Sequence, residues 1–256
     1  MEDSLKQFDK KNQRQVEVSV SSSKFIGKVF LYTFIALAIT AVTAGVIGFI
    51  FSKAFTPIDY NTYVLSDTEL IKPYLALLIV AVVMYIPLII WIQIVCFRRR
   101  GGMVVPFVLY SIVMGILISS ATMLVPFAVT AISFGITSLV FGGLALIGLT
   151  SKRDLSFLGM LGIGIIFGAM LIALFNLIWS LFLPGFQMLY WVVSYGIFVA
   201  VMLITIFDVW RVKKIAQSGE NSNNIALYCA FNLYVDFIYI FLRVLTIVAR
   251  VYGRNR

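Results

Sequence analysis

The chain of 256 residues is 61% apolar and only 12% charged, with a mean hydropathy of +1.02. Soluble domains lie nearer half apolar and a quarter charged, so this composition excludes a soluble enzyme or nucleic-acid-binding domain. The net charge of +9 does not alter that, because Lys and Arg stand in short clusters between apolar runs and form no basic face.

Those clusters suit the anionic surface of a lipid bilayer, and nucleic acid is not an expected partner. Histidine is absent, which removes a His-ligated metal site. Cys96 and Cys229 each lie in or beside an apolar run and do not suggest a disulfide framework.

In chain order, residues 1–24 are polar and lack the apolar core of a signal peptide, so they are expected to form a mobile cytoplasmic tail. Its juxtamembrane end is basic, at Lys24 and Lys28. Residues 25–256 are expected to form an all-α integral membrane domain. About 20 apolar residues cross a hydrocarbon core of roughly 30 Å as helix. Seven such runs predict transmembrane helices over 29–51, 73–97, 103–120, 126–149, 155–178, 188–212 and 224–249.

The sizeable connection is 52–72, which carries Asp59, Asp67 and Glu69. Fourteen Lys and Arg residues collect on the side of the N-terminus, among them Lys24, Lys28, Arg98, Arg99, Arg100, Lys152, Arg153 and Arg211. The other side holds Lys53, Lys72, Arg250, Arg254 and Arg256, so the N-terminus is expected in the cytoplasm. Seven crossings then put the C-terminus outside, against the charge rule at its three arginines.

Carboxylates carry the most information, since a charge inside the membrane costs at least about 2.5 kcal/mol and is kept mostly where it acts. Of the eleven, all but two lie in the tail or in connections, and those two are Asp208 and Asp236. The turn between them, Ser218-Gly219-Glu220-Asn221-Ser222-Asn223-Asn224, is centred near residue 222, and each aspartate is 14 positions from that centre. In an antiparallel helix pair they therefore reach the same depth and can face one another.

Asn232, Asp236, Tyr239, Arg243, Thr246 and Arg250 recur at alternating spacings of four and three, a polar stripe along the seventh helix. Such a stripe cannot face lipid. It serves either as hydrogen-bonding glue between helices or as the lining of a wet cavity, and the matched depth of the two aspartates favours the cavity.

These residues resemble the Bax inhibitor-1 (transmembrane Bax-inhibitor-motif) family, and its bacterial members in particular, from about residue 25 onward. The resemblance is carried by Thr150-Ser151-Lys152-Arg153-Asp154-Leu155-Ser156-Phe157-Leu158-Gly159, by Phe207-Asp208 and by Asn232-Leu233-Tyr234-Val235-Asp236-Phe237-Ile238. The Phe97-Arg98-Arg99-Arg100 junction is also similar. The resemblance implies a seven-helix bundle with a central seventh helix wrapped by the other six. It further implies a pH-sensitive calcium leak, with Asp208 and Asp236 as sensor and Arg98 as their switchable latch. Where the family often has tyrosine before the sixth-helix aspartate, this chain has Phe207, and its second apolar run holds no carboxylate.

Two carboxylates close together in a low-dielectric site titrate as one coupled unit, which makes a pH switch without histidine. Calcium prefers hard oxygen donors, so the same pair can hold the ion transiently while it is transported, with no resident cofactor. Arg99 and Arg100 read as a positive-inside anchor; Arg98 reads equally as anchor or latch.

A membrane regulator of a protease or cell-death pathway, acting through membrane-protein partners without conducting ions, is the alternative function. An intramembrane aspartyl protease would also use two aspartates on adjacent helices. It is disfavoured because Leu233-Tyr234-Val235-Asp236 lacks the glycines of that motif, so no enzymatic activity is expected.

Gly164 and Gly168 are expected to permit close helix packing. Pro87, Pro106 and Pro126 are expected to kink or start helices, and Trp179, Tyr190, Trp191 and Trp210 to sit in an aromatic belt. A bacterial plasma membrane is favoured over the endoplasmic reticulum.

Overall fold

The computed structural model describes residues 2–51, 55–59, 62–65, 68–97, 102–180, 187–219 and 222–254. The elements are α1 (Glu2–Phe51), β1 (Phe55–Asp59), β2 (Thr62–Leu65), α2 (Thr68–Phe97), α3 (Val104–Met123), α4 (Phe127–Thr150), α5 (Ser156–Ser180), α6 (Gln187–Gln217) and α7 (Asn223–Arg254). All seven helices are long and apolar enough to cross a membrane. Large apolar side chains such as Phe34, Leu139 and Phe167 stand exposed on them, as a lipid-facing surface requires.

The helix limits follow local chemistry. Pro126 precedes α4, and its carbonyl accepts from Val129 N at 2.9 Å and Thr130 N at 3.2 Å. Asp154 Oδ1 accepts from the Ser156 amide at 2.8 Å and so caps the start of α5. At the end of α6, Ser218 N donates to Lys214 O, and Gly219 takes the left-handed φ of +81° that closes a helix C-terminus.

Two details are added here. Residues 2–24, expected to form the polar tail, continue α1 as helix without a break. The stretch contains neither Pro nor Gly, so nothing in it stops a helix already nucleated by the apolar run. The connection 52–72 holds a small antiparallel hairpin that pairs Phe55 with Leu65, Thr56 with Val64 and Pro57 with Tyr63.

The chain folds as two compact units. The first comprises residues 1–130 and 212–234. Within it α1 approaches α3 closely at Gly115, where a Cβ would lie 2.6 Å from the Thr43 side chain and 2.8 Å from Thr40 O. Thr40 Oγ1 lies 2.9 Å from Ser111 O and 2.6 Å from the buried Tyr234 hydroxyl. Phe107, Tyr110, Phe231 and Tyr234 pack edge to face around that bond. Thr33 donates towards Ala230 O at 3.2 Å and Ser22 to Ala216 O at 2.9 Å, tying α1 to the ends of α6 and α7 that belong to this unit.

The second unit comprises residues 131–211 and 235–254. Here α4 and α5 meet α6 through glycines. A Cβ on Gly148 would lie 2.7 Å from Ile206 O, one on Gly159 2.7 Å from the Phe207 ring, and one on Gly162 2.6 Å from the Ile204 side chain. Gly164 and Gly168, the pair expected to pack, meet nothing within 4 Å. Gly159 and Gly162 hold the opposite register on α5, and the neighbouring helix lies on their face. Trp210 is buried against Phe207 and does not belong to a lipid-exposed belt.

The seventh helix is the most enclosed of all. In α7, 67% of the apolar span is buried, against 17–39% in the other six. Ala230, Phe231, Leu233 and Tyr234 enter the core of the first unit, and Phe237, Ile240, Phe241 and Leu245 that of the second.

Candidate functional site

Asp208 and Asp236 both belong to the second unit, on α6 and α7 respectively. Asp236 is buried, 7% exposed, and Asp208 is half-buried. The two carboxyl groups are close enough to act on one another through their charges. The juxtaposition expected from the turn arithmetic is therefore present.

Glycine contacts hold α6 on both sides of Asp208. Positions 204 and 207 meet α5, and positions 206 and 209 meet Gly148 of α4. These contacts leave the aspartate's helix little freedom to rotate. On α4, Phe134 packs at a tilt and Phe141 edge-on against Phe237, the neighbour of Asp236, with ring centroids 5.5 and 5.4 Å apart. Asp236 itself is buried, and charge interactions in such surroundings are stronger than in water.

Two neighbours of the pair were not anticipated. Thr205, fully buried, lies one turn before Asp208, and its hydroxyl is hydrogen-bonded to the Asp236 carboxyl as well as 2.8 Å from Val201 O. A hydroxyl has one proton to give, so Thr205 donates either to the Val201 carbonyl or to the carboxylate. Arg211, one turn after Asp208 and exposed, acts on that aspartate through its charge. The signal for both was spacing: i−3 and i+3 from Asp208 on one helix face.

Asp236 retains one buried oxygen, Oδ2, with no hydrogen-bond partner. Two turns further on, the Arg243 guanidinium stands 4.7 Å from the Tyr195 ring centroid, and its Nε and Nη2 are likewise buried and unpartnered. Arg250 repeats the arrangement over Trp191 at 3.8 Å, and Trp191 stacks on Tyr195 with centroids 6.1 Å apart.

The polar stripe therefore divides. At about 100° per residue, Asp236 and Arg243 lie some 40° and 20° to one side of the Asn232–Arg250 line, and Tyr239 and Thr246 lie at similar angles to the other. The first pair turns inward, whereas Tyr239 is 52% exposed and Thr246 is exposed, its hydroxyl bonded to Leu242 O at 2.8 Å. Tyr239, expected to line a cavity with Asn232 and Arg243, stands on the more exposed side of the stripe. Asn232 is half-buried and belongs to the first unit. Arg98, the expected latch, lies outside the described residues, as do Arg99 and Arg100. Among the described residues, no cluster of three or more potential metal-ligating side chains occurs.

The sequence profile of the family described as "Inhibitor of apoptosis-promoting Bax1" matches residues 22–252. The chain is also 33% identical over 156 residues to the inner membrane protein YbhL of Escherichia coli strain K12, covering 59% of this chain and 62% of that relative. The YbhL of a second Escherichia coli strain matches equally, 33% identical over the same 156 residues. The match therefore spans 62% of the length of these curated relatives.

Proposed function

The chain belongs to the Bax inhibitor-1 family, and we propose on that footing that it is a pH-sensitive calcium leak of the bacterial plasma membrane, with Asp208 and Asp236 as sensor and ion path. The observation that supports this most is a buried carboxyl on α7, with one oxygen unpartnered, in electrostatic contact with a second carboxyl on α6. An acid pair at membrane depth is expensive and is kept where ions or protons move.

In this mechanism the pair changes charge as a unit when it gains or loses a proton. Ionised, it attracts a cation, either calcium, whose hard character suits carboxylate and carbonyl oxygens, or the basic side chain that holds the path closed. Protonated, it releases that side chain. Arg98 is proposed as one such latch, and the role needs no covalent chemistry and no resident cofactor. The inner-membrane name of the YbhL relatives supports the bacterial plasma membrane as the location.

The test is calcium flux into proteoliposomes across a pH series. Flux that varies with pH in the wild type and loses that variation in D208N/D236N is the expected result. Proteoliposomes that stay tight at every pH would overturn conduction and favour a regulatory role through membrane-protein partners.

A further inference from the structure

Buried polar atoms are nearly always paired, so the unpaired ones on α7 call for an account. Asp236 Oδ2 is an acceptor, and Arg243 Nε and Nη2 are two donors, all buried without partners in the same unit. Nε–H and the Nη2–H beside it form the side-on edge of a guanidinium, the fork that takes a carboxylate bidentately. The orphans on this helix are therefore chemically complementary, an anion's oxygen and the donor pair that fits it.

We propose that Arg243 is the internal counter-cation of Asp236, receiving its ionised carboxylate on that side-on edge and resting on the Tyr195 ring when the carboxyl carries a proton. The proposal deepens the sensor reading above by naming what holds the site, and only its flux readout rests on that reading.

The placement supports this. Seven residues are two helical turns, so Arg243 lies on the face of Asp236, displaced by about 20° and a rise of about 10.5 Å. On the Tyr195 ring the guanidinium points towards the C-terminal end of α7; swung to the N-terminal direction usual for helical side chains, an extended arginine spans most of the rise to Asp236. The Tyr195 contact occupies the face of the guanidinium, so its in-plane N–H groups remain free to bond sideways.

The other charges near Asp236 do not compete for this role. Asp208 faces it from α6 with like charge, Thr205 is neutral, and the nearby α4 rings of Phe134 and Phe141 on Phe237 are apolar. Lys152, Arg153, Arg211 and Arg250 of the same unit are all exposed, and Arg211 acts on Asp208.

The experiment is a double-mutant cycle read as thermal unfolding of the full chain in lipid nanodiscs, at alkaline and at acid pH, with R243Q, D236N and R243Q/D236N. Breaking a buried ion pair from one side leaves the other charge stranded, so R243Q should lose roughly 5–10 °C at alkaline pH. Adding D236N should recover at least half of that loss, and the loss should shrink at acid pH. R243K, which keeps the charge but not the fork, should fall between wild type and R243Q. Should R243Q not fold, recovery of folded protein on adding D236N supports the pairing, and failure of both counts against it. Additive losses independent of pH would overturn the proposal. That outcome with intact pH-dependent flux removes the pairing alone, whereas absence of flux in the wild type removes conduction and leaves the cycle interpretable.

Discussion

Gly148 of α4 stands against the backbone carbonyl of Ile206 on α6, so close that a Cβ would lie 2.7 Å from the oxygen. A backbone oxygen cannot rotate away as a side chain can. Gly148→Ala must therefore push apart the helices that fix Asp208, at a cost of about 1–3 kcal/mol. Gly164→Ala and Gly168→Ala meet open space and should be neutral or slightly stabilising, since Ala favours helix over Gly by up to ~1 kcal/mol. Thermal unfolding in nanodiscs separates the cases; equal losses at all three positions would show that the α4–α6 contact has no special role.

The coupled sensor makes a sharper prediction about flux. If Asp208 and Asp236 share a proton, Asp208→Asn or Asp236→Asn alone should remove most of the pH response, and the double change should add little. Asn preserves size, and monodispersity should be checked alongside. Independent, additive effects, or pH-dependent flux surviving the double change, would assign the sensor elsewhere.

For Arg98, a latch role predicts that Arg98→Ala raises basal flux at neutral pH and flattens the pH profile, with much smaller effects at Arg99 and Arg100. Equal effects at all three would identify the run as a topology anchor and nothing more.

Orientation is tested by thiol labelling in a background with Cys96→Ser and Cys229→Ala, because neither native cysteine is joined in a disulfide. A cysteine at position 61 should react with an impermeant reagent from outside, and one at Ser222, which is exposed, only after permeabilisation. The reverse pattern would invert the topology argued from the basic residues.

Depth along a helix was legible in the sequence, and rotation about its axis was not. Counting from the Ser218–Asn224 turn placed Asp208 opposite Asp236, because the rise per residue is constant. Whether Tyr239 or Arg243 faces inward depends on a few tens of degrees, which the neighbouring helices decide. The same limit explains the glycines of α5: the spacing of Gly164 and Gly168 permitted close packing, but the face that meets α6 is that of Gly159 and Gly162. The ends of α4 and α5 were readable from Pro126 and Asp154, which act on their own backbone. The reach of α1 back to Glu2 was not, because the charged stretch has no residue that ends a helix and no apolar pattern that announces one. Thr205 and Arg211 were passed over since neither residue type is unusual until its neighbour on the next helix is known.

The burial of α7 also bears on how the protein is made. Membrane helices enter the bilayer in chain order, and the most enclosed of them, which supplies core residues to both units, is the seventh. The six helices ahead of it therefore reach the membrane with the faces meant for Ala230, Phe231, Tyr234 and Phe237 still open to lipid. During that interval the chain presents Thr33 and Thr40 without the carbonyl of Ala230 and the hydroxyl of Tyr234 that they later meet on α7. Assembly is completed only when the ribosome has delivered the helix that also carries Asp236, so the site and the packing that supports it come into being in the same step.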